Sequence, residues 1–553
     1  MNNNIIQFIP LGGLGEIGMN MMVFESLHDL IIIDCGVMFP EEETPGVDLI
    51  IPEITYLLER KEKIRGIILT HGHEDHVGAL PYVLKQLNVP LYGTRLTLGL
   101  IEPKLREFGL LDQTNRIVVK PREIISLGDF SIEFIRVTHS IVDGVGLGIH
   151  TPVGTIVHSG DFKVDPTPVD GELMDLHTFS KLGEKGVLLL LSDSTNVERE
   201  GYTLSEKDIG DTFDTIFAEA KGRIIAATFS SNIHRVQQII DKAYKYGRSV
   251  AVTGKSMTSN VRIAAELGYL SLPENTFVQF GDIQRIQPDK TVIITTGSQG
   301  EPMSVLARLA MNEHKQIKID SGDTVIISAR VIPGNEKSIA RTINHLFRRG
   351  AEVFYERVSE IHVSGHASQE ELKLMLNMVR PKYFIPVHGE YRHLYYHTKL
   401  AQRVGIPNDH TLIAEDGDII ELTPDTIQKI GETSANRVFV DGKGVGDVGD
   451  MVLRDRLHLA SDGMFIVVVG INRLTGELVT GPEIVSRGFV FMEEAGDLIA
   501  EAQELVKQKL AEIPKESIKE LAMVKSEVTT ALRRFLYKRI QRRPMILPVI
   551  IEL

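Results

Sequence analysis

The chain has 553 residues, of which 43% are hydrophobic and 24% charged, an ordinary globular composition with room for about three or four structural units. Its formal net charge of −14 argues against a general polyanion binder, although local basic grooves can coexist with an acidic total. The one cysteine, Cys35, excludes an internal disulfide framework and points to a reducing compartment.

The N-terminal "MNNNIIQFIPLGG" has no basic n-region or cleavage site, and no apolar run is long enough to span a membrane, so a cytoplasmic protein is expected. The first third predicts many short strands: "IIQFIPL", "MMVFES", "DLIIIDCG", "RGIILTH", "FSIEFIRVTH", "GLGIHT" and "GTIVHSGDF" alternate with Gly, Asp and Pro punctuation. "VGALPYVLKQL" between them has helical spacing. From about Ser205 to Glu360 strands and helices alternate, as in "GRIIAATF", "SNIHRVQQIIDKAYKYG" and "SVAVTG", which implies a parallel sheet covered by helices. "EIHVSGHASQEELKLMLNMVRPKYFIPVHGEY" then reads as strand, loop, helix, strand. "NRVFVDGKGVGDVGD" reads as a linker. The last unit places strands in "GMFIVVVGIN" and "GFVFM", then helices in "EEAGDLIAEAQELVKQKLAEI" and from Lys515 in "KESIKELAMVKSEVTTALRRFLYKRIQRRP".

The strongest chemical signal is "ILTHGHEDHVG", which sets His71, His73, Asp75 and His76 directly after an apolar strand. Four ligand-type side chains within six positions of a turn do not all serve packing, and imidazole with carboxylate is the donor set of zinc and similar divalent ions. His71 and His73, at alternate positions, suit one ion, and Asp75 and His76 a second. Further ligands are offered at other strand ends: His139 after "FSIEFIRVT", Asp161 after "GTIVHSG" and His388 after "KYFIPV". Asp161 is of the type that bridges two ions. His158, inside its strand, reads as packing or as support to the ligands.

This constellation resembles the metallo-β-lactamase superfamily, and the αβ-alternating insert between Asp161 and His388 is similar to its β-CASP nucleases. "PLGGLGEIGMN", "LTHGHEDHVGALPY", "SGDFKVDPTPVDG", "LSDSTN", "TGSQGEPMSVLARLA", "HVSGHAS" and "IPVHGEYRHL" resemble the bacterial ribonuclease J family over essentially the full length. The resemblance implies an α/β fold: a metallo-β-lactamase αββα sandwich with an inserted β-CASP α/β domain and a small C-terminal α/β domain. The implied domains are 1–205 and 361–435 for the sandwich, 206–360 for the insert, 436–458 for a linker and 459–553 for C-terminal oligomerisation. It also implies RNA hydrolysis from the 5′ end, with a 5′ monophosphate preferred, and internal cleavage, in RNA maturation and mRNA decay. A two-metal-activated hydroxide is the nucleophile such a site implies.

On this basis His71, His73 and His139 are assigned to one ion, and Asp75, His76 and His388 to the other, with Asp161 bridging. The expected cofactors are two Zn²⁺, with Mn²⁺ as the alternative working metal. Asp75 can also orient water, Asp193 is expected to hydrogen-bond a ligand histidine, and His366 is the candidate acid or electrophile at the leaving or non-bridging oxygen. Asp193 as a plain turn or N-cap residue is the alternative. Ser231, His362, Ser364, Gly365 and His366 are the candidate 5′-phosphate contacts, Ser231 having helix N-cap as its other role.

Single-stranded RNA is the expected partner, and Arg235, Lys255 and Arg330 are candidates for its channel. The expected assembly is a homodimer or homotetramer, within an RNA-decay complex with a helicase or paralogue. The basic run of Arg533, Arg534, Lys538, Arg539, Arg542 and Arg543 suits RNA contact or, more commonly, a solvated or oligomer-facing helix. Asp48 and Asp441, in Gly-flanked loops, are candidate ligands for a structural Ca²⁺, or else loop aspartates. The competing functions are a non-catalytic paralogue subunit and a metallohydrolase of a small substrate. The filled ligand set argues against the first and the insert against the second.

Gly13, Gly15 and Gly18 spell G-x-G-x-x-G with Asp34 beyond them, the outline of a dinucleotide fingerprint. That fingerprint needs a helix between two strands, and "MMVFES" followed at once by "DLIIID" leaves no room for one. The glycines therefore predict a tight strand connection near the metal edge, with Asn20 within reach of the site, and no nucleotide cofactor.

Overall fold

The computed structural model describes residues 4–40, 43–301, 303–332, 335–356, 359, 361–472, 475, 477–490, 496–514 and 520–553. Glu360, Pro302, Glu493 and the expected helix start at Lys515 lie outside them. The chain divides into two compact units, Met1–Phe39 with Ile50–Val438, and Pro40–Leu49 with Phe439–Leu553.

The first unit contains a sandwich of an eight-stranded and a six-stranded sheet. Phe8, Phe24, Ile31, Ile33 and Ile68 from one sheet meet Phe130, Ile132, Phe134, Leu147, Leu189 and Ile385 from the other, all buried. The antiparallel strand Phe130–Arg136 alternates its apolar side chains inward. The strands Leu30–Ile33, Leu189–Asp193 and Tyr383–Val387 are buried at every position. They pair in parallel with a neighbour and have cover on both faces, which is why they are continuously apolar. Each such Ile, Leu or Phe contributes about 1.5–3 kcal/mol on burial. Phe179, Leu182, Met375, Leu376 and Leu400, from three helices, cover the outer face of the six-stranded sheet.

The insert is a five-stranded, all-parallel sheet built from Ile224–Thr228, Ser249–Thr253, Thr291–Thr295, Thr324–Ser328 and Glu352–Phe354. The amphipathic helix Ile233–Lys245 buries Val236, Ile239 and Ile240 against it. The α/β class with an inserted α/β domain is therefore observed.

The second unit holds a sheet of Leu478–Arg487, Met464–Ile471 and Met545–Glu552, with the helices Gly496–Glu512 and Leu521–Ile540 packed on one core. Among the described residues no helix is long and apolar enough to cross a membrane.

Local expectations differ from the structure in several places. "VGALPYVLKQL" is not one helix: Glu74–Val77 and Leu80–Val83 are single turns. "IHVS" forms no strand, because the Ile361 carbonyl accepts from the side chains of Arg235 and Ser328 instead of from a neighbouring strand. The 436–458 stretch, read as a linker, carries the strands Arg437–Asp441 and Gly444–Val445 and the start of the helix Asp450–Asp462. The β-branched and aromatic run Val438, Phe439, Val440 outweighs the Gly and Asp around it.

Candidate metal centre

Strands of both sheets end at one edge of the sandwich, and the polar side chains follow them. His71 lies three residues past Ile64–Ile68, Asp161 three past Gly154–His158, and His388 directly after Tyr383–Val387. His71, His73 and His139 form one group of potential ligands, and Asp75, His76, Asp161 and His388 a second, with ligand atoms within 4.8 Å of one another in each. A third group joins His139 and Asp161 to His366.

One atom organises the cluster. Asp161 Oδ2 lies 3.2 Å from Nε2 of both His76 and His388, 3.7 Å from His71 Nε2 and 3.9 Å from His139 Nε2. Asp75 Oδ2 stands 3.4 Å from His388 Nε2 and 3.5 Å from His76 Nε2. His73 Nδ1 is 3.0 Å from His71 Nε2 and 3.2 Å from His139 Nε2. His388 Nε2 is buried and makes no hydrogen bond, an orphaned donor atom facing two carboxylates. Nitrogens so close together, around a shared carboxylate oxygen, fit divalent cations.

Burial holds His71 and His139 well below the usual imidazole range and His73 at about 4. These are neutral imidazoles, the form that ligates metal. Burial also lowers His388, but the Asp161 charge outweighs it and carries the imidazole to about 10. Burial would raise Asp75, and the charge of His76 instead holds it well below the carboxylate range.

Behind the candidate ligands stand Asp34, which the sequence did not single out for this task, and Asn20, which it placed within reach of the site. Asp34, read as the acid of a fingerprint outline, accepts from Thr70 N and Thr70 Oγ1, each at 2.8 Å, and its Oδ2 is 2.8 Å from His76 Nδ1. It orients the candidate ligand His76, and the available signal was its place at the end of "LIIID". Its φ of 61° is left-handed, which Asp tolerates better than most residues. Asn20 Nδ2 lies 3.1 Å from the Asp75 carbonyl and 3.2 Å from His76 Nε2, so the side chain does reach the site. The glycine loop connects strand to strand, with Leu14–Gly15 paired in parallel to Gly389–Glu390 beside His388. No helix separates it from Met21–Glu25.

Asp193 contacts a ligand differently from the expectation. Its Oδ2 is 2.8 Å from His366 Nδ1, while Oδ1 accepts from Thr195 N and Thr195 Oγ1. Thr195 Oγ1 is in turn 3.2 Å from His388 Nδ1, so Asp193 reaches that candidate ligand through a threonine. Burial would lower His366, and the Asp193 charge raises it. With Nδ1 engaged, Nε2 is the nitrogen left to act. His158 is buried and accepts from Gly160 N through Nδ1, outside all three ligand groups.

The candidate phosphate contacts divide. Ser364 Oγ accepts from Asn196 Nδ2 at 2.7 Å, and Asn196 Oδ1 accepts from Arg330 Nη1 at 3.0 Å. His362 Nδ1 is buried without a hydrogen bond. Gly365 also makes room for His139: a Cβ there would stand 2.6 Å from His139 Cε1, and its carbonyl is 2.7 Å from His139 Nδ1. Ser231 is not the N-cap, since Asn232 accepts from Arg235 N in that role, and no hydrogen bond ties its hydroxyl to His362 or Ser364.

One channel candidate is overturned. Arg235 is fully buried and paired with Glu206, so it does not face solvent RNA. Lys255 is exposed and 3.3 Å from Glu107. Asp48 accepts from Gly442 N and Asp441 pairs with Arg456, so protein groups engage both candidate calcium ligands. In the basic run, Arg539 pairs with Glu501 and Arg542 donates to the Phe489 carbonyl.

Four family models match the chain: "Metallo-beta-lactamase superfamily" over residues 16–195, "Ribonuclease J, beta-CASP domain" over 221–346, "Zn-dependent metallo-hydrolase RNA specificity domain" over 352–411 and "Ribonuclease J C-terminal domain" over 451–553. Ribonuclease J2 of Bacillus subtilis is 42% identical over 551 residues, covering 100% of this chain and 99% of its own. Ribonuclease J of Thermus thermophilus is 45% identical over 555 residues, 99% of this chain and 95% of its own. Ribonuclease J of Helicobacter pylori is 45% identical over 543 residues, 98% of this chain and 79% of its own. A crystal structure of a protein of unknown function from Enterococcus faecalis aligns with a TM-score of 0.53 at 16% identity, over 76% of this chain and all of that one, a likeness of fold alone.

Proposed function

This chain belongs to the ribonuclease J family of β-CASP nucleases, enzymes that hydrolyse RNA, and from that premise we propose that it degrades single-stranded RNA from the 5′ end, prefers a 5′ monophosphate, and also cuts internally. The observation that carries the reading is the position of Asp161 Oδ2, shared by histidines of two ligand groups. His71, His73 and His139 would hold one divalent cation and Asp75, His76 and His388 the second, with Asp161 between them. Two such ions lower the pKa of water toward neutrality and neutralise phosphoryl oxygens. The imidazole-rich donor set suits zinc, with manganese the alternative.

Asp75, the ligand most open to solvent in its group, orients the attacking water. His366, held on Asp193, meets the leaving or non-bridging oxygen and moves its proton at Nε2. Ser231, His362, Ser364 and the backbone at Gly365 receive the 5′ phosphate, which would sit beside the Asn196–Arg330 pair. The protein works in the cytoplasm in RNA maturation and decay, as a homo-oligomer formed through the C-terminal unit.

Labelled RNA bearing a 5′ monophosphate or a 5′ triphosphate, given to the wild type and to His76→Ala, tests this. The monophosphate RNA should be consumed at least ~10-fold faster, releasing mononucleotides from the 5′ end, and His76→Ala or chelation should abolish cleavage. Equal rates on the two RNAs would sink the 5′-end reading. Undiminished cleavage by metal-free His76→Ala would sink the metal reading.

A further inference from the structure

Four charged side chains lie buried beside the phosphate-facing segment and take no part in the chemistry above. Lys163 and Arg235 supply two positive charges, Asp165 and Glu206 two negative, and all four are at most 3% exposed. Arg235 Nη2 donates to Glu206 Oε2 at 2.5 Å, and Nη1 donates to the Ile361 carbonyl at 2.5 Å and to Ser328 Oγ. Glu206 Oε1 stands 3.8 Å from Lys163 Nζ, which is 3.3 Å from Asp165 Oδ2. Asp165 accepts from Glu206 N at 3.0 Å, closing the ring.

The two cations and the carbonyl that Arg235 holds belong to three different parts of the site. Lys163 follows Asp161 by two residues, and its backbone pairs with Thr138, next to His139. Arg235 stands in the first turn of the helix whose N-cap is Asn232, next to Ser231. Ile361 opens the irregular segment that carries His362, Ser364 and His366. The quartet thus joins the candidate metal edge of the sandwich, the insert and the irregular segment that returns from it.

Burying four charges is costly, and apolar residues of similar size commonly replace a buried ion pair with no loss of stability. What such residues do not supply is the fork of Arg235, which fixes a carboxylate on one side and a carbonyl on the other in one geometry. We infer that the Glu206–Arg235 pair is a positioning device, which sets where the segment 361–366 stands relative to the metal ligands and so governs discrimination among RNA 5′ ends. The inference rests on the phosphate reading above. A shift of about 1 Å in such a contact costs on the order of 10²-fold in rate, so loosening the segment is legible in kinetics.

The test is the double variant Arg235→Met with Glu206→Leu, which leaves neither partner charged and alone. It is assayed on the 5′-monophosphate and 5′-triphosphate RNAs, with metal content and melting temperature measured beside. The expected result is a drop of about tenfold or more in the monophosphate-to-triphosphate ratio of kcat/KM, carried by a higher KM for the monophosphate RNA, at wild-type metal content. Arg235→Lys, which keeps the charge and loses the fork, should move the ratio the same way by less. It carries the comparison if the double variant does not fold. An unchanged ratio, or equal losses on both RNAs, overturns the inference while the phosphate reading stands. A wild type that does not discriminate between the two RNAs overturns that reading and the inference with it.

Discussion

The turn from His71 to His76 and the segment from Ile361 to His366 carry the site's polar groups, yet they are built in opposite ways. The turn is held by its own helical turn Glu74–Val77 and by one earlier stretch of chain, through backbone bonds to Asn20, Cys35 and Val37 and through Asp34 at its back. The segment has no regular structure. Side chains from Asn196, Thr203, Arg235 and Ser328 hold its carbonyls and hydroxyls in place. Glu371 adds a second clamp, its carboxylate accepting from Val164 N, Thr203 N and Ser368 N. The turn keeps its ligand-type side chains together in a few residues and leans mainly on backbone, whereas the segment is held by side chains gathered from the sandwich and the insert.

The sharpest way to break the comparison is at Gly36, where the turn depends on close backbone approach. A Cβ there would stand 1.6 Å from the Asp75 carbonyl oxygen, so Gly36→Ala must displace Asp75 and His76. Metal content measured by atomic emission should fall, and RNA cleavage with it by about 10³-fold, roughly 4 kcal/mol of barrier. Retention of full metal would mean that the turn does not depend on the close approach at Gly36. The counterpart beside the segment, in the helix that follows it, is Glu371→Gln, which offers an amide N–H where the carboxylate received three donors. It should cost about 2–3 kcal/mol in urea unfolding and leave metal content near wild type. A variant as stable as the wild type would remove the second clamp from the account.

The same contrast decides what the sequence made legible. His71, His73, Asp75 and His76 declare themselves because four ligand types fall in one short turn. Their partners His139, Asp161 and His388 are visible as polar residues ending apolar strands. The parallel sheet of the insert was legible from alternating runs such as "GRIIAATF". Thr195 and Glu206 were not, because their tasks exist only through partners 193 residues away at His388 and 29 away at Arg235. Arg235 misled for a related reason. A cation in a nucleic-acid enzyme suggests a phosphate contact, and only the fold shows it closed against a carboxylate. Asp34 misled because its neighbouring glycines matched another motif.

The glycine loop lies between the two extremes, local in its turns but fastened from afar by Asp416, whose Oδ1 accepts from Leu14 N at 3.1 Å. Burial, and then the charge of Glu16, push the Asp416 carboxyl up to about 8. In the unfolded chain it titrates near about 3.9, so between these values the folded state holds the extra proton. Its contribution is full below about pH 4 and is lost as pH rises through about 8. Asp416→Asn keeps an oxygen for Leu14 N and removes the titration. The variant should therefore gain about 2 kcal/mol over the wild type in urea unfolding at pH 9, and little at pH 5. Protonation of the metal ligands at pH 5 is common to both proteins and cancels in the difference. A gain that does not grow with pH would mean that the loop is fastened without a proton, by its turns and by the Gly389–Glu390 pairing alone.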